Sequence, residues 1–227
     1  MLIKGLQKLT LLDYPGKVAC TVFTGGCNFR CPFCHNASLV THMDSETISE
    51  DEFFSFLNKR TGIIEGVCIS GGEPTLQDDL EKFIRKIKDM GFSVKLDTNG
   101  YRPDILKNLC NNGLIDYVAM DIKNSPDKYD ITAGIENIDL KNIEESASFL
   151  INGNIDFEFR TTVVKEYHTY SDFEQIGKWL KSDSKYFLQS FIDSGDTIKT
   201  GLNPHDAEQL RAFADILHNY IPNIEIR

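Results

Sequence analysis

Apolar residues along this chain fall into two recurring patterns. Short β-branched or near-continuous runs predict strands, and segments with apolar residues three and four positions apart predict helices. The runs "KVACTVF", "GVCIS", "FSVKLDT", "DYVAMDIK", "IDFEFRTTVV" and "KYFLQSF" read as strands. Helical segments alternate with them. "SEDEFFSFLNKR" is the first, with Ser49 and Glu52 spaced as a capping box. In "LQDDLEKFIRKIKDMG", Leu80, Phe83, Ile84 and Ile87 share one face and Gly91 supplies the stop. Further helices are predicted from Pro103 to about Asn111, around Leu140 to Ile151, around Ser171 to Lys181, and from about His205 to Tyr220. The tail "NIEIR" adds a short strand.

Strand–helix alternation implies parallel pairing through right-handed crossovers. A closed eight-unit barrel takes about 250 residues. This chain has 227 and shows six units. The expected architecture is therefore α/β, an open partial (βα)6 barrel with parallel strands, and a flat doubly wound sheet is the alternative. In both, ligands bind at the carboxyl ends of the strands. No repeat, low-complexity tract or Pro/Gly/Ser-rich linker interrupts the pattern, so residues 1–227 are read as a single domain. An N-terminal extension spans about residues 1–16, and the core spans about residues 17–227.

Composition narrows the function. Hydrophobic residues make up 41% and charged residues 26%, as in soluble globular proteins. The net charge of -10 repels phosphate backbones and disfavours nucleic acid as a partner. No apolar run approaches the ~18 residues of a membrane span, and "MLIKGLQKLT" lacks the apolar core of a signal peptide. A cytoplasmic protein without a membrane partner is expected. In that reducing compartment, six cysteines are metal ligands or buried thiols rather than disulfides. Cys20 and Cys68 lie in strand-like runs and, with Cys110, read as structural residues.

The remaining three stand close together in "TGGCNFRCPFCHN": Cys27, Cys31 and Cys34. A disulfide uses two cysteines, and a closed zinc or iron–sulfur site uses four ligands. Three thiolates on a four-iron cubane leave one iron open to a small chelating molecule. His35 offers a Cys₃His zinc site as an alternative, although adjacent residues cannot easily both point at one tetrahedral ion.

The CxxxCxxC spacing, with Phe33 before the third cysteine, resembles the radical S-adenosylmethionine (SAM) enzymes over nearly the whole chain. That resemblance implies a [4Fe-4S] cluster on Cys27, Cys31 and Cys34, SAM at its open iron, and Phe33 among the cofactor-binding residues. It also gives roles to the strand ends. Gly71, Gly72 and Glu73 of "SGGEP" match the Gly-Gly-Glu turn that meets the methionine amino group in that family. Asp97, Thr98 and Asn99 of "LDTNG", and Asp121 and Lys123 of "MDIK", resemble motifs lining the SAM site of glycyl-radical-activating enzymes. There the aspartates help bind a monovalent cation and the lysine contacts the ligand. Alternation places Asp121 and Lys123 on one strand face. Arg160 stands where the family places a carboxylate-binding arginine. Read alone, Asn99-Gly100 is a turn and Asp121–Lys123 a surface pair.

"LTLLDYPGKVACTVFTGGCNFRCPFCHN" and "YFLQSFIDSGD" resemble the activating proteins of anaerobic ribonucleoside-triphosphate reductase. Pyruvate formate-lyase activases are similar but carry a Gly-Pro-Gly version of the Asp13–Gly16 segment. Asp13 itself fits a place near the active site or a turn. The resemblance implies generation of a glycyl radical on that reductase, with flavodoxin or ferredoxin as electron donor. Two other readings stay open: a small-molecule radical SAM enzyme such as 7-carboxy-7-deazaguanine synthase, and a non-catalytic module stabilised by zinc.

Overall fold

The computed structural model describes residues 1–42, 44 and 46–227. The chain groups into two compact units: residues 1–28 with 38–119, and residues 29–37 with 120–227. The first unit contains β1 (Ile3–Thr10) and β2 (Ala19–Thr24), then all but the first residue of α1 (Ala37–Thr41), then α2 (Glu50–Asn58) and β3 (Gly66–Gly71). It continues with α3 (Leu80–Asp89), β4 (Ser93–Thr98) and α4 (Pro103–Asn111). β5 (Tyr117–Asp121) carries the chain into the second unit. That unit adds α5 (Tyr129–Ala133), α6 (Leu140–Asn152), β6 (Asp156–Val163), α7 (Tyr170–Trp179), β7 (Lys185–Ser190), α8 (Ala207–His218) and β8 (Asn223–Ile226). Strand order follows chain order, β1 to β8. The fold is α/β, with a mostly parallel sheet that does not close.

In the first unit, β2, β3 and β4 pair in parallel, with Ala19 opposite Gly66 and Gly66 opposite Ser93. Val67, Cys68 and Ile69 are wholly buried. A parallel strand covered on both faces needs such a continuous apolar run. α3 buries Leu80, Phe83, Ile84 and Ile87, the face read from the sequence. Its Phe83 ring lies 5.1 Å from Phe53 and 5.2 Å from Phe54 on α2. Ser49 caps α2 by accepting the Glu52 N–H at 3.1 Å, and three acidic residues in its first turn complement the helix dipole.

The second unit repeats the logic. β6 and β7 run in parallel from Glu158 opposite Lys185 to Val163 opposite Ser190, and β8 continues beside β7. Phe173 of α7 stacks on Phe213 of α8 with ring centroids 4.5 Å apart.

The expected units are present, flanked by strands at both ends of the chain. β1 was not foreseen. Only Ile3 and Thr10 of that strand are buried, so no alternation announced it. It pairs antiparallel with β2 through two irregular registers. The short helix α5 also escaped, because five residues are too few to show a period. Cys20 and Cys68 are core residues, as read, and Cys110 is half-buried. Among the described residues, no helix is long and apolar enough to cross a membrane.

Removing the Phe83 ring opens a cavity between α2 and α3. Phe83→Ala should cost about 3–5 kcal/mol, read as a lower urea midpoint. Phe54→Ala, at a half-buried ring, should cost clearly less. Equal losses would show that the ring cluster is not what holds these helices.

Candidate active site

In the first unit, the turn after β3 holds the stem of the cysteine loop. Gly71 has φ +110°, and a Cβ there would lie 2.4 Å from the Thr24 nitrogen. A Cβ on Gly72 would lie 1.9 Å from the Gly26 carbonyl oxygen. Neither position tolerates a side chain. The close approach is fixed by hydrogen bonds: Gly72 N–H donates to Thr24 O at 2.9 Å and Glu73 N–H to Gly26 O at 2.8 Å. Gln77 Nε2 donates to Gly25 O at 2.9 Å.

Glu73 turns inward and is 1% exposed. Its Oε1 accepts from Thr75 N–H, the Thr75 hydroxyl and the Thr98 hydroxyl, and its Oε2 accepts from Asn99 N–H at 2.7 Å. Burial pushes this carboxyl up, against the pull of those four hydrogen bonds. The side chain thus ties the end of β3 to the end of β4.

Asn99 accepts the Tyr101 N–H on Oδ1 at 3.0 Å. Its Nδ2 donates to Asn28 Oδ1 at 2.8 Å and lies 3.9 Å from Cys27 Sγ. Asp97 accepts the Ser70 hydroxyl at 3.0 Å and pairs with Lys95, which is only 1% exposed. Sequence reading missed Lys95. Its two-residue offset from Asp97 was the available signal, since it puts both on one strand face. Asp13 accepts the Thr21 hydroxyl at 2.5 Å, and its N–H donates to Thr10 Oγ1, which anchors the β1–β2 connection.

In the second unit, Asp121 at the end of β5 meets two cations. Arg160 Nε and a terminal guanidinium nitrogen both lie 3.0 Å from Oδ1, and Lys123 Nζ lies 3.1 Å from Oδ2. Burial opposes ionisation of Asp121, but Arg160 and Lys123 outweigh it and bring the carboxyl down to about 2. Burial likewise opposes the Lys123 charge, yet Asp121 first, and Cys31 after it, push that ammonium up. The trio carries one net positive charge.

Cys31 is buried, with Sγ 3.9 Å from the Ala133 carbonyl oxygen. Burial pushes its thiol up to about 11, while nearby Lys123 pulls the other way. Cys34 N–H donates to Cys31 O at 3.0 Å, and burial raises its thiol as well. Phe33 does not face outward. It packs with Val164, Phe191 and Leu202, beside Tyr167. His35 stacks on Phe191 at 5.4 Å. Backbone contacts secure the segment: Arg30 N–H donates to Ala133 O, and a Cβ on Gly134 (φ +67°) would lie 2.1 Å from Arg30 O.

The first unit thus contains Cys27, Gly71, Gly72, Glu73, Asp97, Thr98 and Asn99. The second contains Cys31, Phe33, Cys34, Asp121, Lys123 and Arg160. Gly71, Thr98 and Asp121 are the last residues of β3, β4 and β5, the strand ends where α/β folds bind ligands. Among the described residues, no three His, Cys, Asp or Glu side chains stand grouped as a ready-made metal site. The donor set fits an iron–sulfur cluster: the cysteines are thiols, soft ligands that coordinate as thiolates. A buried amide nitrogen on Asn28, beside Cys27, has no hydrogen-bond partner among the described residues.

The model of the radical SAM superfamily matches residues 21–180. The chain belongs to that superfamily. A Methanocaldococcus jannaschii relative, provisionally named a glycyl-radical enzyme activating enzyme, is 36% identical over 236 residues, covering 100% of this chain and 95% of that one. A 7-carboxy-7-deazaguanine synthase from Koribacter versatilis is 29% identical over 158 residues, covering 68% of this chain and 66% of its own. Among solved structures, Streptococcus suis SuiB bound to its precursor peptide SuiA superposes with TM-score 0.70 at 16% identity. That match covers 91% of this chain and 48% of SuiB, so the chain spans about half of that length. This last likeness concerns the fold. As a radical SAM protein the chain is an enzyme of radical chemistry, and its cofactors are a [4Fe-4S] cluster and SAM. Membership sets aside the non-catalytic zinc module.

One further residue positions the Asp121–Lys123 segment. His168 is buried, its Nδ1 accepts Val164 N–H at 3.1 Å, and its Nε2–H donates to the Lys123 carbonyl oxygen at 3.0 Å. Burial pushes the imidazole down to about 4. Unfolded, it titrates near 6.5. Between those values the unfolded chain binds the extra proton, so stability falls with falling pH by about 1.4 kcal/mol per pH unit. His168→Gln should flatten the pH dependence of urea unfolding from pH 6.5 to 4. An unchanged slope would reassign it to other groups.

Proposed function

We infer that this radical SAM enzyme is a glycyl-radical activase and that its substrate is a glycine in the backbone of a partner protein, the anaerobic ribonucleoside-triphosphate reductase. The observation that carries the activase reading is 36% identity running through the whole chain to the M. jannaschii relative. The choice of reductase rests on the resemblance of residues 9–36 and 186–196 to its activating proteins.

In this reading Cys27, Cys31 and Cys34 hold the cluster, which when bound supplies the electron that cleaves SAM and starts hydrogen abstraction. The chain's own groups bind and orient SAM. Asp121, Lys123 and Arg160 together carry one surplus positive charge, suited to a carboxylate such as that of the methionine moiety. Because Asp121 neutralises one cation and aligns both, Lys123 and Arg160 meet a ligand with little reorganisation. The backbone of Gly71–Gly72, bare of side chains, lets a ligand amino group approach closely. Asp97, Thr98 and Asn99 complete the SAM contacts, and Asp97 and Asp121 are the candidate ligands of a monovalent cation. Phe33 contributes by fixing the loop from within the core. A one-electron donor of flavodoxin or ferredoxin type completes the system in the cytoplasm.

The 29% identity to a 7-carboxy-7-deazaguanine synthase supports a second reading, turnover of a pterin-like small molecule. Anaerobic incubation with SAM, a reductant and the co-expressed reductase should give a glycyl doublet by electron paramagnetic resonance. Pterin turnover without that doublet would favour the second reading. Cys31→Ala should abolish 5′-deoxyadenosine formation, and unchanged turnover would remove the loop from the cluster site.

A further inference from the structure

Cys27 is set against two side-chain amides whose orientations the surrounding hydrogen bonds dictate. Asn99 Oδ1 accepts the Tyr101 N–H at 3.0 Å, so the other end of that amide, Nδ2, faces Asn28. There it donates to Asn28 Oδ1 at 2.8 Å, and it stands 3.9 Å from Cys27 Sγ. Asn28 must then present its oxygen to Asn99, which leaves its own Nδ2 as a donor. That nitrogen is buried and has no hydrogen-bond partner among the described residues. A buried amide without an acceptor is unfavourable and calls for an explanation.

The sulfur of Cys27, as a cluster ligand, supplies one. As a thiol, Cys27 donates weakly toward Asn28 Oδ1, 3.9 Å away. A cysteine that ligates iron has lost that proton and can only accept. Asn99 Nδ2 is a donor already at sulfur distance, and Asn28 Nδ2 is a second donor lacking an acceptor. We propose that Asn28 and Asn99 form an amide pair donating N–H hydrogen bonds to the sulfur shell at Cys27, and that this pair raises the reduction potential of the bound cluster. The inference rests on Cys27 being a cluster ligand. Its physical basis is general: hydrogen bonds to cluster sulfurs stabilise the more negative, reduced state, and groups outside the ligand shell tune a metal as well as orient its ligands. Both residues act through Cys27 and are positioning residues in this respect. The consequence is a cluster that a modest biological reductant can reduce.

The test uses full-length protein reconstituted anaerobically with iron and sulfide, without SAM. Asn28→Leu keeps the side chain's size and removes the donor. Iron and sulfide content are measured first, and the cluster is then titrated against potential by electron paramagnetic resonance. Iron content should match the wild type. At a fixed poise the ratio of reduced to oxidised cluster should fall about tenfold, equivalent to about 59 mV for a one-electron couple. Asn99→Ala should shift the midpoint in the same negative direction. A fully loaded Asn28→Leu protein with an unchanged midpoint overturns the proposal. If Asn28→Leu fails to load, Asn99→Ala decides: a negative shift supports the proposal and an unchanged midpoint overturns it. Failure of the wild type to take up iron would instead overturn the cluster assignment itself, and the proposal with it.

Discussion

The close approach of two backbones, Gly72 against Gly26, is the constraint on which the candidate residues of the first unit depend. With a Cβ position only 1.9 Å from a carbonyl oxygen, there is no room for any residue but glycine. The two N–H donors from Gly72 and Glu73 convert that proximity into a fixed geometry. A loop bearing Cys27 would otherwise be a segment with considerable conformational freedom to lose on becoming ordered. Here the fold has already restricted it. The same turn commits the Glu73 carboxylate to joining β3 and β4, so one short motif both braces the sheet and holds the loop.

The candidate residues of the second unit are organised by charge. Asp121 is stabilised as a carboxylate by Arg160 and Lys123, and it holds both cations at hydrogen-bonding distance. Such a trio is costly to desolvate and strong once assembled. His168 supports it by a hydrogen bond to the Lys123 backbone. Buried ion pairs are weak evidence for stability, and under the proposed function the arrangement is preorganisation for an anionic ligand.

Much of this could be read from the sequence where the signal was local. The apolar face of α3 and the shared face of Asp121 and Lys123 follow from side-chain periodicity. The carboxyl-end rule drew attention to Gly71, Thr98 and Asp121, and the structure places each at the end of its strand. What could not be read was long-range or contrary to type. Arg160 reaches Asp121 across 39 residues, and no spacing encodes that contact. Lys95 is wholly buried, which lysines seldom are, so a strand pattern reads it as an outward residue. Phe33 sits within a cysteine loop, and only the packing of Val164, Phe191 and Leu202 reveals that its ring belongs to the interior. β1 lacked alternation because an edge strand with one half-open face needs few buried positions.

The burial of Cys31 has a consequence for the reactivity of its thiol. With its thiol held up to about 11, only a small fraction is thiolate at neutral pH. The thiolate is the species that attacks disulfides and oxidants. Cys31 is thus a poor nucleophile toward disulfides and oxidants, and burial guards it against mispairing. The same burial that makes the residue a reluctant acid makes it a patient one, slow to enter thiol chemistry.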